Sequence, residues 1–451
     1  MDVNPAVFIF YRIYSMNRKI LQIAIPSIVS NITVPLLGLV DIAIVGHLGA
    51  TSYIGAIAVG SMLFSMLYWL FAFLRMGTSG MTAQAYGRRD LQEVLLVWER
   101  ALAIGLGIAL LMILLQEPIL QGAFTWTEAT EEVKAGAARY FHICVWGAPV
   151  VLGLYALSGW FIGMQNTRLP MLIAIVQNIV NIVGSLCFVF LLHLKIEGVA
   201  LGTLFAQYTG FLLGLGLWLR YYGRLRRYQQ GKSFWQAAAM RRFFAINRDI
   251  FLRTLCLVSV TTFFTSAGAR QGEVILAVNT LLMQLFTLYS YFMDGFAYAG
   301  EALGGRFIGA RNSQGLQRCV RLLFVWGIAL AISFTLLYAF GGQRFLGLLT
   351  NDQAVLAATG DYAPWAMAIP FCGFAAFIWD GFFIGATATG WMFRAMLIAS
   401  GSFFLLFAGL HSYLGNHALW LAFLSYLTLR GVVQTWAWHF RVHKKLLQSR
   451  S

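Results

Sequence analysis

The sequence predicts an all-α polytopic membrane protein of about twelve transmembrane helices. Three observations carry this. The 451 residues are 59% hydrophobic and only 11% charged. A soluble protein of this size needs roughly a quarter charged residues to keep its surface wet, so most of this surface meets lipid. The apolar residues form long runs bounded by charge, glycine or proline, near 20–45, 53–80, 92–116, 133–163, 169–192 and 197–222, then 247–270, 274–304, 318–341, 355–386, 392–414 and 417–440. The runs do not alternate at period two as barrel strands do, and lipid obliges each backbone to satisfy its own hydrogen bonds, so they are helices.

The first run continues into a full span, as expected of an uncleaved first helix. Met16-Asn17-Arg18-Lys19 reads as a natural start, with residues 1–15 a poorly ordered extension. The twelve runs fall into two sixes. Gly159-Trp160-Phe161-Ile162-Gly163 recurs as Gly381-Phe382-Phe383-Ile384-Gly385, an offset of 222 from Gly159 to Gly381. Ala85-Tyr86-Gly87-Arg88-Arg89-Asp90 recurs as Phe307-Ile308-Gly309-Ala310-Arg311-Asn312 at that offset, and Ala148-Pro149 is echoed by Ile369-Pro370. A duplicated six-span unit gives parallel repeats, because an even number of spans returns the chain to its starting side. The expected division is an N-terminal six-helix lobe over 1–222, a cytoplasmic linker over 223–246 and a C-terminal six-helix lobe over 247–451.

The formal charge of +15 has a topological origin. With both termini cytoplasmic, the cytoplasmic segments hold Arg12, Arg18, Lys19, Arg88, Arg89, Arg168, the basic run from Arg220 to Arg253, Arg306, Arg311, Arg318, Arg321, Arg394 and the cluster from Arg441 to Arg450. The opposite loops hold Lys134, Lys195, Arg270 and Arg344 alone. This asymmetry is the positive-inside pattern of a bacterial inner-membrane protein, with contact to anionic lipid a secondary consequence. Nucleic-acid motifs are absent, so no nucleic-acid partner is expected. The five cysteines are scattered through apolar runs without metal or redox spacing, so no metal is expected.

Acids at membrane depth mark function, because charge there is costly. Asp41 lies two-thirds along the first span, where Pro26 and Pro35 each remove a backbone donor and permit a bend. Burial penalises a carboxylate's charged form, so Asp41 is a candidate proton-driven switch. Asn178, Asn181 and Ser185 share one face of the fifth span, and Thr203 and Gln207 share a face of the sixth. Together with Asp41 they can line one cavity, although each pair alone is also what interhelical hydrogen bonding looks like. In the second half, Asp294, Glu301 and Asp380, with Asp249 and Arg253, are either ion sites or internal salt bridges. Asp294, Asp380, Gln207 and Met283 are the candidates for a substrate or second-lobe polar site. Met283 with Phe286, Tyr289 and Phe292 suits bulky apolar cations, and suits ordinary packing as well.

The segment from Ile25-Pro26 through Pro35-Leu36-Leu37-Gly38-Leu39-Val40-Asp41-Ile42-Ala43-Ile44-Val45-Gly46-His47-Leu48 closely resembles the first helix of MATE (multidrug and toxic compound extrusion) transporters, in their DinF branch. Asn247-Arg248-Asp249-Ile250-Phe251-Leu252-Arg253, Asp294-Gly295-Phe296, Asp380-Gly381-Phe382-Phe383-Ile384-Gly385 and Gly415-Asn416-His417-Ala418-Leu419-Trp420 resemble that branch too. The resemblance spans residues 17 to 445. It implies a V-shaped, two-lobe antiporter, expected to be a monomer, that exports organic cations and amphiphiles against inward H+ or Na+ without an organic cofactor. It places the family's first-helix acid on Asp41, its bending proline on Pro26, its fifth-helix asparagine on Asn181 and its sixth-helix threonine on Thr203. The family commonly has an aspartate four residues after that asparagine, where this chain has Ser185. Serine cannot titrate, which leaves Asp41 as the first lobe's one deeply placed acid and favours H+ over Na+. A lipid-linked flippase of the same superfamily predicts a second-lobe or central cavity dominated by arginine, and the central acids and aromatics speak against it. An intramembrane enzyme needs a Ser/His, paired-Asp or metal constellation, and His142 and His193 lack partners at suitable spacing.

Overall fold

The computed structural model describes residues 5–46, 51–126, 129–229 and 235–442; within these the side chains of 5–14, 34–39, 41, 42, 45, 51 and 126 lie outside the described set. Every regular element among the described residues is helical. The first span is α1 (Pro5–Gly46), which begins upstream of Met16. The second is α2 (Thr51–Leu70) and α3 (Phe73–Gly87), broken at Phe71 and Ala72. Next come α4 (Leu91–Leu114) and the short α5 (Gln116–Trp126), then α6 (Glu131–Cys144) running through a tight turn into α7 (Ala148–Gly163). The first six-span half closes with α8 (Arg168–Leu186) and α9 (Ile196–Tyr222). The second half is α10 (Ala237–Ala269), α11 (Glu273–Gly309), α12 (Ser313–Leu349), α13 (Gln353–Gly385), α14 (Thr389–Leu414) and α15 (Asn416–Ala437).

Ten of these stretches are long and apolar enough to cross a membrane, and α1 and α15 complete the twelve. In α15 the residues Asn416, Arg430 and Gln434 dilute the apolar character, and all three are buried in protein. The outer faces carry the reverse pattern from a soluble domain: Leu111, Leu114, Leu212, Phe340 and Leu405 are all exposed, as surfaces solvated by lipid tails require.

The duplication is written into the backbone. Arg89 and Arg311 both adopt left-handed conformations, as do Gln165 and Thr387, and each pair is separated by the same 222 positions. Asp90 caps α4 through the Glu93 amide, and Asn312 caps α12 through the Gly315 amide. Gly159 on α7 lies against the Arg75 backbone of α3, and Gly381 on α13 lies against the Ala297 backbone of α11. Only a residue without a Cβ permits these helices to touch so closely. The two halves differ where α2–α3 and α6–α7 are broken while α11 and α13 run unbroken. In α13 this continuity survives Pro364 and Pro370; the Tyr289 hydroxyl donates to the Pro370 carbonyl at 3.0 Å.

Contacts divide the chain into two compact units, one of residues 26–247 and one of residues 1–25 with 248–451. A helix the length of α1 rises about 60 Å, and its beginning packs in the second unit, where the Trp326 indole donates to Asn17 Oδ1 at 3.2 Å. The stretch 223–246 counts with the first unit, and α10 is already helical from Ala237. The first unit's core joins Phe64, Tyr140 and Phe141 at one level and Trp160, Phe161 and Trp218 at another. The second unit's core is aromatic too: Trp379, Phe382, Trp420 and Tyr426 are all buried.

Candidate functional site

In the first unit, the face of α8 predicted to be polar is turned inward. Asn181 is 1% exposed and Ser185 fully buried. The Asn181 amide donates to Thr203 Oγ1 on α9 at 3.0 Å, which joins the two halves of the expected stripe. Asn181 Oδ1 and Ser185 Oγ have no hydrogen-bond partner among the described residues. Gly202 makes this packing possible, since a Cβ there would collide with Ser185. Gln207, one turn beyond Thr203, is also buried, with Oε1 unpartnered and pressed against Gly147.

The same stripe reaches α1. Asn178 donates to the Thr33 carbonyl at 3.2 Å. As first and fifth spans of an alternating bundle, α1 and α8 run in the same direction. Rising from that contact by equal numbers of residues brings Asn181 and Ser185 to the level of the α1 backbone around residues 36–41. Asp41 lies in helical backbone there, and its side chain is outside the described residues. Pro26 is buried, at the point where α1 passes from one unit's contacts to the other's.

The second unit arranges its acids differently. Asp380 on α13 is 6% exposed, and both of its oxygens are engaged. One oxygen accepts from Arg253 on α10 and from Arg430 on α15, the latter at 2.6 Å; the other accepts from Gln434 at 2.5 Å. Of the two readings open from sequence, the geometry is that of an internal ion network: two guanidiniums and an amide clasp one carboxylate and tie three helices together. Asp249 is held by Arg248 and by the Thr389 hydroxyl. Asp294 is half-buried, one helical turn from both Tyr291 and Tyr298. Met283 is half-buried on the same helix, and its carbonyl accepts from the Thr287 hydroxyl. Neither joins Asp380's cluster.

Two polar clusters escaped sequence reasoning. Asn279 and Asn416 exchange amide hydrogen bonds at 2.8 and 2.9 Å, and the Trp420 indole donates to Asn279 Oδ1 at 2.9 Å. The Asn416–Trp420 spacing of one helical turn was the available signal. Arg100, 2% exposed, donates to Glu93 at 2.7 Å; an arginine seven residues after a glutamate, two helical turns along one face of an apolar run, was the signal there.

Set beside known proteins, the sequence matches the MatE family profile over residues 26–187 and 250–408. DNA damage-inducible protein F of Escherichia coli (strain K12) is 39% identical over 437 residues, which is 95% of this chain and 93% of that protein. The probable multidrug resistance protein NorM of Rhizobium meliloti (strain 1021) is 24% identical over 76% of this chain and 74% of its own. Among solved structures, MATE in the bent conformation superposes with a TM-score of 0.85 at 18% identity, over 96% of this chain and 97% of that one. An outward-facing multidrug resistance MATE family transporter of the MOP superfamily superposes at 0.81 and 19% identity, over 95% and 96%. At that identity the superpositions speak to fold.

Proposed function

The chain belongs to the MATE family of membrane transporters, and from that membership we propose that it is a secondary antiporter exporting amphipathic, cationic small molecules in exchange for inward protons, with Asp41 as the coupling acid. The observation that carries the proposal is the buried polar wall of the first unit. Asn181 Oδ1, Ser185 Oγ and Gln207 Oε1 are shut away from solvent with acceptor capacity unspent, an arrangement a purely structural interior avoids. That wall reaches α1 through Asn178 and Thr33, at the level that makes it a lining for the helix bearing Asp41.

The mechanism is competition for one charge. With Asp41 ionised, an organic cation is held by the carboxylate and the neutral oxygens around it. Protonation removes the negative charge and the cation's hold, and α1, lacking a backbone donor at Pro26, can change its bend as this happens. The membrane potential favours inward protons by about 2.3 kcal/mol per charge per 100 mV. Ser185 and Asn181 contribute neutral groups, so a single carboxylate serves the wall, which fits a proton better than a sodium ion needing a cage of oxygens. The excess of basic residues in alternate loops supports a bacterial inner-membrane location with both termini cytoplasmic.

The test uses proteoliposomes with a fluorescent organic cation and with H+ and Na+ gradients imposed separately. The wild-type protein should exchange the cation for protons at symmetric Na+, and Asp41→Asn should lose that exchange while its elution and melting stay those of the wild type. Unchanged exchange in Asp41→Asn removes Asp41 from the mechanism, and exchange driven by a Na+ gradient alone replaces the coupling ion.

A further inference from the structure

The first unit carries a second polar site that the transport reading leaves unused. At the end assigned to the cytoplasm, a cavity of about 300 Å³ is lined by Arg88, Arg100, Arg242 and Glu93, with Ala238 and Ala239 at its edge. Arg100 is buried at its base and donates to Glu93. Arg88 and Arg242 are exposed at its mouth, and Arg242 donates to Gln84 Oε1 at 3.3 Å. Arg88 and Arg242 lie within range to repel one another, and Glu93 offsets part of that repulsion. Three guanidiniums thus face one carboxylate, and the cavity keeps a positive excess. Ala238 and Ala239 belong to the first turn of α10, where backbone N–H groups have no partner within the helix and the helix dipole favours negative charge.

The internal repeat says whether the fold requires these charges. Shifted by 222 positions, Arg88, Glu93 and Arg100 become Ala310, Gly315 and Leu322. The corner itself is preserved, with its left-handed arginine and its capping side chain. The second copy therefore builds the same turn without any of the three charges. Arg100 is buried, and three guanidiniums sharing one carboxylate leave a positive excess that an anion would neutralise.

We propose that this cavity binds a phosphate-bearing anion, held by Arg88, Arg100 and Arg242 with the first-turn amides of α10. Guanidinium groups match phosphate oxygens in bidentate geometry, and helix N-termini are suited to the same ligand. The cavity's volume lies at the small end for ligand sites, so it takes a phosphate with a few attached atoms and not a bulky drug. The phosphate comes either from the headgroup of an anionic lipid in the adjoining leaflet or from a soluble phosphate ester. The site stands on its own residues, so its failure leaves the antiport reading untouched.

The experiment uses the full-length protein in detergent. Native mass spectrometry measures binding of phosphatidic acid against phosphatidylcholine, and a thermal shift measures inorganic phosphate. Phosphatidic acid should bind more tightly than phosphatidylcholine, and the Arg88→Gln/Arg242→Gln variant should weaken that preference about tenfold, the loss of one to two charge-assisted contacts. Glu93→Gln should tighten anion binding, because it removes the carboxylate that competes with the ligand; a merely structural cluster would loosen instead. Stabilisation by inorganic phosphate as well as phosphatidic acid identifies a soluble ester site, and response to phosphatidic acid alone identifies the lipid headgroup. Equal binding of the two lipids with no phosphate response, or binding that the double variant leaves unchanged, overturns the proposal.

Discussion

Replacing Asp380 with alanine exposes how the second unit is held together. The carboxylate is 6% exposed and sits between Arg430 at 2% and Arg253 at 8%. One oxygen answers both guanidiniums and the other answers Gln434. With it present, the cluster carries one surplus positive charge; without it, two buried guanidiniums face each other and an amide donor is stranded. Removing one partner of a buried ion pair costs about 3–5 kcal/mol. Spread over a unit of this size, that lowers the melting temperature by on the order of 10 °C. The measurement is apparent melting of the detergent-solubilised full-length protein, followed by size-exclusion of the folded fraction after heating. Asp380→Ala/Arg430→Leu should recover part of the loss, because it returns the cluster to a single surplus charge and fills the space with an apolar side chain. Melting of Asp380→Ala within about 2 °C of wild type refutes the reasoning. So does a double variant that melts as low as the summed single losses.

Other consequences follow from the packing and from the polar wall. A Cβ at Gly381 would overlap the Ala297 carbonyl oxygen and lie 2.8 Å from its carbon, and a Cβ at Gly159 would meet the Arg75 backbone in the same way. Gly159→Ala and Gly381→Ala should each cost about 1–3 kcal/mol in stability, and a neutral result at either position breaks the equivalence of the two halves. Asn279→Ala strands the Asn416 amide and the Trp420 indole in the core, a loss of about 1–3 kcal/mol read in the same melting assay; unchanged melting removes the cluster's structural role. Asn181→Leu, which replaces a polar wall residue with an apolar one of similar size, should lower transport per folded molecule while melting stays near wild type. Reduced melting with full transport would reassign Asn181 to packing.

Much of this architecture was legible in the residues. The twelve runs were long enough that span count followed from length, and their boundaries hold to within several residues except at the starts of α1, which begins at Pro5, and of α10. That helix starts at Ala237 because Ala237, Ala238 and Ala239 are strong helix formers, while a hydropathy reading registers only the part able to enter lipid. The inward turn of Asn178, Asn181 and Ser185 was readable because one helix's period places them together. Partnership was not readable where it joins distant segments. Asp380 meets Arg253 from 127 positions upstream and Arg430 from 50 downstream, and no local pattern links three helices. The carboxylates at Asp380 and Asp41 look alike in sequence, each an acid in an apolar run, and only packing shows that Asp380 is neutralised by two arginines.

Composition and period, by themselves, determined that this chain crosses the membrane as helices, that six spans were copied into twelve, and which helix faces are polar. These follow from the energetics of a single segment in lipid, which each segment meets on its own. The tertiary structure alone decided which glycines serve as contact points between helices, that Asp380 is clasped by two arginines, and that three charges present in one copy and absent from the other converge on a cavity. Those outcomes depend on side chains from separate helices arriving within a few ångströms, and distance of that kind exists only once the helices have packed.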